Sequence, residues 1–288
     1  MTKIAFFGLG EIGAPMASRL AASGASMLVH NRSPEKQAQW LASNEGVALT
    51  GAADVRDVDC VISCVGNDED LRALYFGDDG LISNLNPGTL VIDHTTASAV
   101  VAQELHREIA GKGSKFLDAP ISGGSAGARN GTLSVMVGGD KGAVTEATPV
   151  FDQYAGVVSH IGGPGAGQLC KMVNQLCIAG VLQGLGEGLA LARAANLDVE
   201  RVIGAISGGA AASWQMENRS SFMLGDTYEA GFAARLMSKD LGLCLEEADR
   251  LNLDLRGAKL VADEYSDLIA RGLGDEDFSN LHRLLRGD

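Results

Sequence analysis

A short apolar run, Lys3-Ile-Ala-Phe-Phe7, ends directly on Gly8-Leu9-Gly10-Glu11-Ile12-Gly13, which continues into Ala14-Pro-Met-Ala-Ser-Arg-Leu20. No other stretch constrains the fold as much. A strand that turns on one glycine and enters a helix on another opens a βαβ unit, and such units build parallel sheets. Each glycine has its own duty: Gly8 permits the tight turn, Gly10 lets the backbone approach a pyrophosphate at the helix N-terminus, and Gly13 allows helix and strand to pack closely. Residues 8 to 13 are therefore read as a dinucleotide-binding loop. A glycine turn by itself is weak evidence; the strand before it and the helix after it carry the reading.

The second apolar run, Ser26-Met-Leu-Val-His30, ends where a dinucleotide's ribose is normally read, about 20 residues after the glycines. There stand Asn31-Arg32-Ser33-Pro34-Glu-Lys36. Arg32 can take a phosphate bidentately, Ser33 is read as the cap of the next helix, and Pro34 suits its first position. Asn31, Arg32, Ser33 and Lys36 accordingly point to NADP(H) rather than NAD(H), with a solvated surface arginine as the plain alternative for Arg32.

Val58 to Val65 and Thr89 to Asp93 continue the series as strands, with a crossover helix over 100–110, so the N-terminal half reads as a doubly wound α/β sheet. Ligands bind in such folds at the loops after strand ends. Val65-Gly66-Asn67-Asp68 is read as lying along the cofactor and Asp93-His94-Thr95-Thr96 as approaching the nicotinamide, while His94 itself is read as structural or exposed. Lys115 to Asp118 forms a further strand, and Ser122-Gly123-Gly124 presents backbone N–H groups and a hydroxyl suited to a small carboxylate. Taken alone, that stretch is a simple tight turn. Strands at 132–137 and 157–161 around a helix at 140–154 close the half, and Gly162-Gly163-Pro164 marks a boundary between domains 1–163 and 164–288.

From Gly165 to about Asn196 the chain lacks proline and reads as one long helix, apolar almost all round and hence buried in its domain or against another subunit. Lys171, Asn174 and Gln175 share one face of it. Gly180, Gly184, Gly186 and Gly188 weaken helix propensity, which a close helix crossing would explain. Helices at 198–207, 213–223, 232–251, 256–271 and 278–286 make this half all-α. In the helix predicted from Phe232, positions 232, 236 and 240 form a stripe with Lys239 beside it; spacing alone reads Asp240 as a solvated helix edge.

The balance of 23 basic against 36 acidic residues, net charge −13, argues against nucleic acid or an anionic membrane as partner. Five cysteines without CxxC spacing read as buried thiols, and five scattered histidines give no metal site. The longest uncharged helical stretch, between Lys171 and Glu187, falls short of the roughly 18 apolar residues of a membrane span, and the N-terminus has no signal-peptide regions. A cytoplasmic, soluble protein is expected.

Together, Gly8-Leu-Gly-Glu-Ile-Gly-Ala-Pro-Met-Ala, Asp118-Ala-Pro-Ile-Ser-Gly-Gly124, Gly165-Ala-Gly-Gln-Leu-Cys-Lys171-Met-Val-Asn174-Gln175 and Lys239-Asp240 closely resemble the β-hydroxyacid dehydrogenase family over nearly the whole chain. This family includes 3-hydroxyisobutyrate dehydrogenases and the glyoxylate, succinic semialdehyde and tartronate semialdehyde reductases. The resemblance implies Lys171 as catalytic lysine, Ser122, Gly123, Gly124 and Asn174 with Gln175 as substrate groups, and Thr96 beside the nicotinamide. It implies Phe232, Lys239 and Asp240 as residues closing the site from the second domain, with Lys239 also counted toward the cofactor. Asn31-Arg32-Ser33 resembles the NADP(H)-preferring members. Two departures concern the substrate: Gln175 replaces a common second Asn, and His94-Thr95 replaces a hydrophobic-Ser pair.

The implied reaction is reversible hydride transfer between NADP(H) and a short carboxylate-bearing aldehyde or hydroxy acid, with Lys171 as general acid and base, in a homodimer or homotetramer built through the all-α domain. The alternatives are an imine reductase on the same fold, whose members usually lack the lysine, and a cofactor-binding sensor without turnover.

Overall fold

The computed structural model describes residues 2–229 and 231–286. The chain separates into two compact units, 1–171 and 172–288, each described in turn. The dividing point lies inside the long helix, a few residues beyond the predicted Gly162-Gly163-Pro164 boundary.

The first unit runs β1 (Lys3–Phe7), α1 (Gly13–Ala22), β2 (Ser26–His30), α2 (Pro34–Leu41), β3 (Val47–Ala48), a 3₁₀ turn, β4 (Cys60–Ser63), α3 (Asp68–Tyr75), α4 (Leu81–Asn84), β5 (Leu90–Asp93), α5 (Ala99–Gly111), β6 (Lys115–Asp118), β7 (Ile121–Ser122), α6 (Gly124–Asn130), β8 (Leu133–Gly139), α7 (Lys141–Phe151) and β9 (Ala155–Gly162). The sheet order is β3-β2-β1-β4-β5-β6-β8-β7, with β9 pairing β8. Strands β1 to β6 are parallel, β8 runs antiparallel to β6 and β7, and β9 lies parallel to β8.

Both faces of this sheet are covered, so alternate residues of each strand enter different cores. Ile4 and Phe6 join Met16, Leu20, Val29, Ile62 and Ile92 on one face, while Ala5 and Phe7 join Val61, Leu71, Tyr75, Val91 and Leu105 on the other. The register then aligns Phe7, Ser63, Asp93 and Asp118 at the carboxyl ends of four neighbouring strands. Three polar side chains thus stand in a row where a doubly wound sheet binds its ligands.

The long helix α8 (Ala166–Ala194) begins in the first unit and continues through the second. By length and composition it could cross a membrane, although it carries Lys171, Glu187 and Arg193 and 44% of its apolar window is buried within the fold. After it come α9 (Val199–Ile206), α10 (Trp214–Gly225), α11 (Ala234–Arg250), α12 (Arg256–Ala270), a 3₁₀ turn (Phe278–Leu281) and α13 (His282–Leu285). Leu182, Leu189, Met216, Met237, Leu241, Val261, Tyr265 and Phe278 are among the core residues of this second unit. Asp198 caps α9 by accepting from the Arg201 N–H, as a helix start there requires.

The glycines of α8 behave differently from the expected common crossing. Of the four glycines from Gly180 to Gly188, Gly186 is the one pressed against another element, since a Cβ there would collide with Leu285 of α13. Gly180, Gly184 and Gly188 face open space. They alternate with exposed Val173, Cys177, Val181 and Leu191 on one side of the helix, at spacings of three and four residues.

Candidate active site

The glycine-rich loop has the geometry its glycines require. Gly8 adopts φ +102°, and a Cβ there would fall on the Cys64 carbonyl; a Cβ on Gly13 would fall on the Gly8 carbonyl. Gly10, by contrast, has no heavy atom within 4 Å of its missing Cβ, which leaves the backbone approachable where a pyrophosphate would rest. Leu9 is buried, and Ile12 is the residue before α1. Glu11 is exposed. The loop is tied to the next strand by Asn31, whose Oδ1 accepts from the Leu9 N–H at 2.8 Å while its Nδ2 donates to the Ser33 carbonyl. These residues fit a nicotinamide dinucleotide.

At the ribose-reading position, Arg32 is exposed and its Nη1 donates to Asp70 Oδ1 at 2.8 Å. Asp70 Oδ2 also accepts from the Gly66 N–H. Ser33 occupies the cap position of α2 in extended conformation, yet its hydroxyl makes no capping bond, so the expected side-chain cap is absent; Pro34 does begin the helix. Lys36 is exposed. Val65 is half-buried and donates its N–H to Thr95 Oγ1 at 3.0 Å, and Asn67 caps α3 by accepting from the Asp70 N–H.

The loop after β5 is held by Asp93. Its Oδ1 accepts from Ser63 Oγ at 2.6 Å and from Thr95 Oγ1 at 2.7 Å, and Ser63 in turn bonds Tyr75 Oη. Burial pushes the Asp93 carboxyl up to about 7, against the bonds from Ser63 and Thr95 that favour its ionised form. His94 is buried as well. Its Nδ1 is 2.6 Å from the Ala119 carbonyl oxygen and its Nε2 is 2.9 Å from Tyr154 Oη, and burial lowers its pKa to about 4. Such a ring is a neutral structural group, not an acid or base.

Asp118 takes the role of a cap from a distance in sequence. Its two oxygens accept the N–H groups of Gly165 (2.8 Å) and Gln168 (3.0 Å), which secures the start of α8 against the end of β6. Burial raises the Asp118 carboxyl to about 6. Gln168 then reaches the loop after β5: its Oε1 accepts from the Ala97 N–H and its Nε2 donates to the Thr95 carbonyl. Those two groups flank Thr96. Lys171 follows one turn later and is 7% exposed. Ser122 lies in the short β7, Gly123 adopts φ +126°, and Gly124 with φ +61° begins α6, so this stretch is a strand-to-helix junction, not an isolated tight turn.

In the second unit, Asn174 Nδ2 donates to Gln175 Oε1 at 2.8 Å, and Gln175 Nε2 donates to Asp240 Oδ2 at 2.7 Å. Asp240 is only 2% exposed and pairs with Lys239 at 3.2 Å, which overturns its reading as a solvated helix edge. Phe232 precedes α11 and so lies off the stripe predicted for 232, 236 and 240. A separate anchor holds it. Asp277, itself paired with buried Arg219, accepts from the Phe232 N–H, and Phe278 donates its N–H to the Phe232 carbonyl and packs edge-on against its ring.

Residue type and spacing do not single out Asp93, Asp118 or Gln168, although each stands inside or next to one of the motifs of the chain. The signal lay in buried polar residues at strand ends, which must find partners. Among the described residues no group of three or more His, Cys, Asp or Glu could hold a metal ion. None of the five cysteines forms a disulfide; Cys60 and Cys244 are buried, whereas Cys177 is exposed, contrary to a uniformly buried set.

Comparison with known proteins bears on what such an arrangement does. Residues 3–162 match the family described as the NAD binding domain of 6-phosphogluconate dehydrogenase, and residues 165–285 match the NAD-binding family of NADP-dependent 3-hydroxyisobutyrate dehydrogenase. An uncharacterized oxidoreductase of Shewanella frigidimarina is 46% identical, over 98% of this chain and 97% of its own. An NAD-dependent L-serine dehydrogenase of Pseudomonas aeruginosa is 33% identical, over 99% and 98%. The solved structure of Mycobacterium tuberculosis 3-hydroxyisobutyrate dehydrogenase with L-serine superposes with a TM-score of 0.91 at 32% identity, covering all of both chains. With the glycine loop at the end of β1, the loops after β4 and β5, and a buried lysine on the helix that leaves the sheet, the chain belongs to the β-hydroxyacid dehydrogenase family, NAD(P)-dependent oxidoreductases that act on the CH–OH group of hydroxy acids.

Proposed function

We propose that this enzyme prefers NADP(H) and interconverts a short semialdehyde and its 3-hydroxy acid, with Lys171 as the general acid and base. The observation that carries the reading is Lys171 itself: a buried lysine, one turn beyond Gln168, whose amide holds the loop that carries Thr96. A buried ammonium needs a reason, and a proton delivered to a reacting oxygen is one.

A nicotinamide dinucleotide, held by Gly8 to Gly13 and Val65 to Asn67, would supply a hydride in reduction and accept one in oxidation. In reduction, protonated Lys171 would give its proton to the carbonyl oxygen as the carbonyl carbon is reduced, leaving an alcohol and a neutral amine. In oxidation, neutral Lys171 takes the hydroxyl proton. Asn174 orients the substrate oxygen, Ser122, Gly123 and Gly124 hold its carboxylate, and Thr96 borders the nicotinamide. Gln175, Phe232, Lys239 and Asp240 complete the substrate and cofactor set. Arg32, with Asn31, Ser33 and Lys36, takes the 2′-phosphate; Gly8 to Gly13 and Val65 to Asn67 take the rest of the dinucleotide.

The substrate class is a short carboxylate-bearing aldehyde or hydroxy acid of the 3-hydroxyisobutyrate, glyoxylate or succinic semialdehyde type, a reading supported by relatives named for 3-hydroxyisobutyrate and L-serine. A break between the two family matches at residues 162 and 165 supports a domain boundary near 163. The apolar stripe of Val173, Cys177, Val181 and Leu191 with bare Gly180, Gly184 and Gly188 supports self-association through the all-α domain. A cytoplasmic location completes the proposal.

The test is a panel of glyoxylate and of succinic, methylmalonate and tartronate semialdehydes with NADPH and NADH, and of 3-hydroxyisobutyrate and L-serine with the oxidised cofactors. Lys171→Ala is assayed alongside, with NADPH affinity measured separately. Turnover by wild type and its loss in Lys171→Ala at unchanged NADPH affinity is the expected result. Wild-type-like turnover by Lys171→Ala would sink the lysine's role, and no turnover at all would favour a cofactor-binding sensor.

A further inference from the structure

Gln168 is fully buried, and its side chain spends both ends of its amide on backbone. Oε1 accepts from Ala97 N–H at 3.0 Å, and Nε2 donates to the Thr95 carbonyl at 2.8 Å. An amide used in this way imitates a neighbouring strand: it pairs with the peptide groups on either side of one residue, and that residue is Thr96.

Both partners of this clamp are themselves immobilised. On the helix side, the Gln168 N–H is held by Asp118 Oδ2, and Gly167 sits so close to β6 and β8 that a Cβ would collide with the carbonyls of Asp118 and Met136. On the loop side, Thr95 Oγ1 donates to Asp93 and accepts from the Val65 N–H, which connects the loops after β4 and β5. Gln168 is therefore the node through which the first turn of α8 is fixed to the loop beside the cofactor. Lys171, three residues on, is its neighbour on the helix surface, with a rise of about 4.5 Å between them.

We propose that Gln168 is a positioning residue that sets Thr96, and with it the reactive ring of the cofactor, in register with the Lys171 ammonium. The inference rests on the proposed roles of Lys171 and Thr96. Hydride and proton must arrive at adjacent atoms of one carbonyl group, and a misplacement of about 1 Å can cost on the order of 100-fold in rate. Gln168 has no contact with the reacting atoms to make; its effect is on geometry.

Gln168→Glu separates this role from a merely structural one. A protonated carboxyl keeps one donor and one acceptor and can reproduce both bonds, whereas a carboxylate loses the donor and sets its charge against the Thr95 carbonyl. With NADPH and whichever of glyoxylate or succinic semialdehyde wild type reduces faster, kcat of Gln168→Glu should approach wild type at acidic pH. It should then fall about 10- to 100-fold further than wild type does over the same range as pH rises through the titration of the new carboxyl, since Asp93, Asp118 and Lys171 titrate in both proteins. NADPH affinity, followed by its fluorescence, should stay within about threefold, and the isotope effect with 4-deuterated NADPH should rise as hydride transfer becomes limiting.

Gln168→Asn, which retains the amide but shortens its reach by one methylene, serves as the second variant and should lose kcat at every pH. A wild-type kcat and pH profile in both variants overturns the inference. So does a parallel loss of kcat, NADPH affinity and melting temperature without any recovery at low pH. Lys171→Ala, run in the same assay, separates the two failures: if it turns over normally the functional reading falls, and if it is dead while both Gln168 variants are normal only the positioning inference falls.

Discussion

The Gln175 amide donates to the Asp240 carboxylate across 2.7 Å, and Asn174 donates to the other end of the same amide. Gln175 thus stands between a neutral helix-mate and a buried acid on α11 that also pairs with Lys239. Removing the amide strips the carboxylate of its neutral donor while it stays buried. Gln175→Leu is expected to lower unfolding free energy by about 1–3 kcal/mol. In a urea-denaturation cycle with Asp240→Leu, the double variant should lose less than the sum of the singles. Additive losses would mean that the pair is not coupled.

Gly10 and Gly13 should separate binding from folding. A methyl at Gly10 enters open space, so Gly10→Ala should keep stability within about 0.5 kcal/mol of wild type. The same methyl occupies the approach to the pyrophosphate and should weaken NADPH binding at least about 10-fold. Gly13→Ala, pressed on the Gly8 carbonyl, should lose stability as well as binding. Melting curves and fluorescence titration read the two effects. A normal NADPH affinity in Gly10→Ala would remove this loop from the cofactor site.

Arg32 meets Asp70 before it meets any phosphate. The carboxylate repels a 2′-phosphate and occupies one of the five guanidinium donors, although exposure keeps the pair weak. Asp70→Asn should lower KM for NADPH severalfold and leave NADH unaffected. Arg32→Ala should raise KM for NADPH by about 10-fold or more, again without effect on NADH. Equal changes for both cofactors would show that Arg32 does not read the phosphate.

Asp93 makes stability depend on pH. Its folded pKa of about 7 lies above the ordinary 3.8, so between these values the folded state binds more protons than the unfolded one. Its contribution is fully present below pH 3.8 and is lost as pH rises through about 7. Asp93→Asn keeps an acceptor for Ser63 and Thr95 and has nothing to titrate. Relative to wild type it should gain stability by about 4 kcal/mol between pH 4 and pH 8, measured by urea denaturation across that range. A constant difference would place the Asp93 titration elsewhere.

Much of the architecture was legible because it follows from local chemistry. Phe7-Gly8 and Gly13 announce a strand, a turn and a helix through their steric limits, and Pro34 and Asp198 mark helix starts through theirs. The short elements were not: Val47–Ala48 and Ile121–Ser122 are two-residue strands whose existence depends on a neighbouring strand in register. Spacing puts Phe232 on a helical stripe, yet Asp277 and Phe278, distant in sequence, hold its backbone outside the helix.

What this sequence determined by itself is the order of its elements and the inventory of reactive groups. Steric allowance at glycine, the period of apolar residues and the presence of one lysine in an otherwise uncharged segment are properties of neighbours along the chain. Which polar groups support that lysine was decided by tertiary structure alone. Asp93, Asp118 and Gln168 are scattered over 76 positions of the chain, counting both ends (168 − 93 + 1), and take their roles only because parallel pairing aligns the ends of β5 and β6 and α8 starts against them. Burial then obliges each polar atom to find a partner, and the partners available at those strand ends are the backbone groups that shape the site.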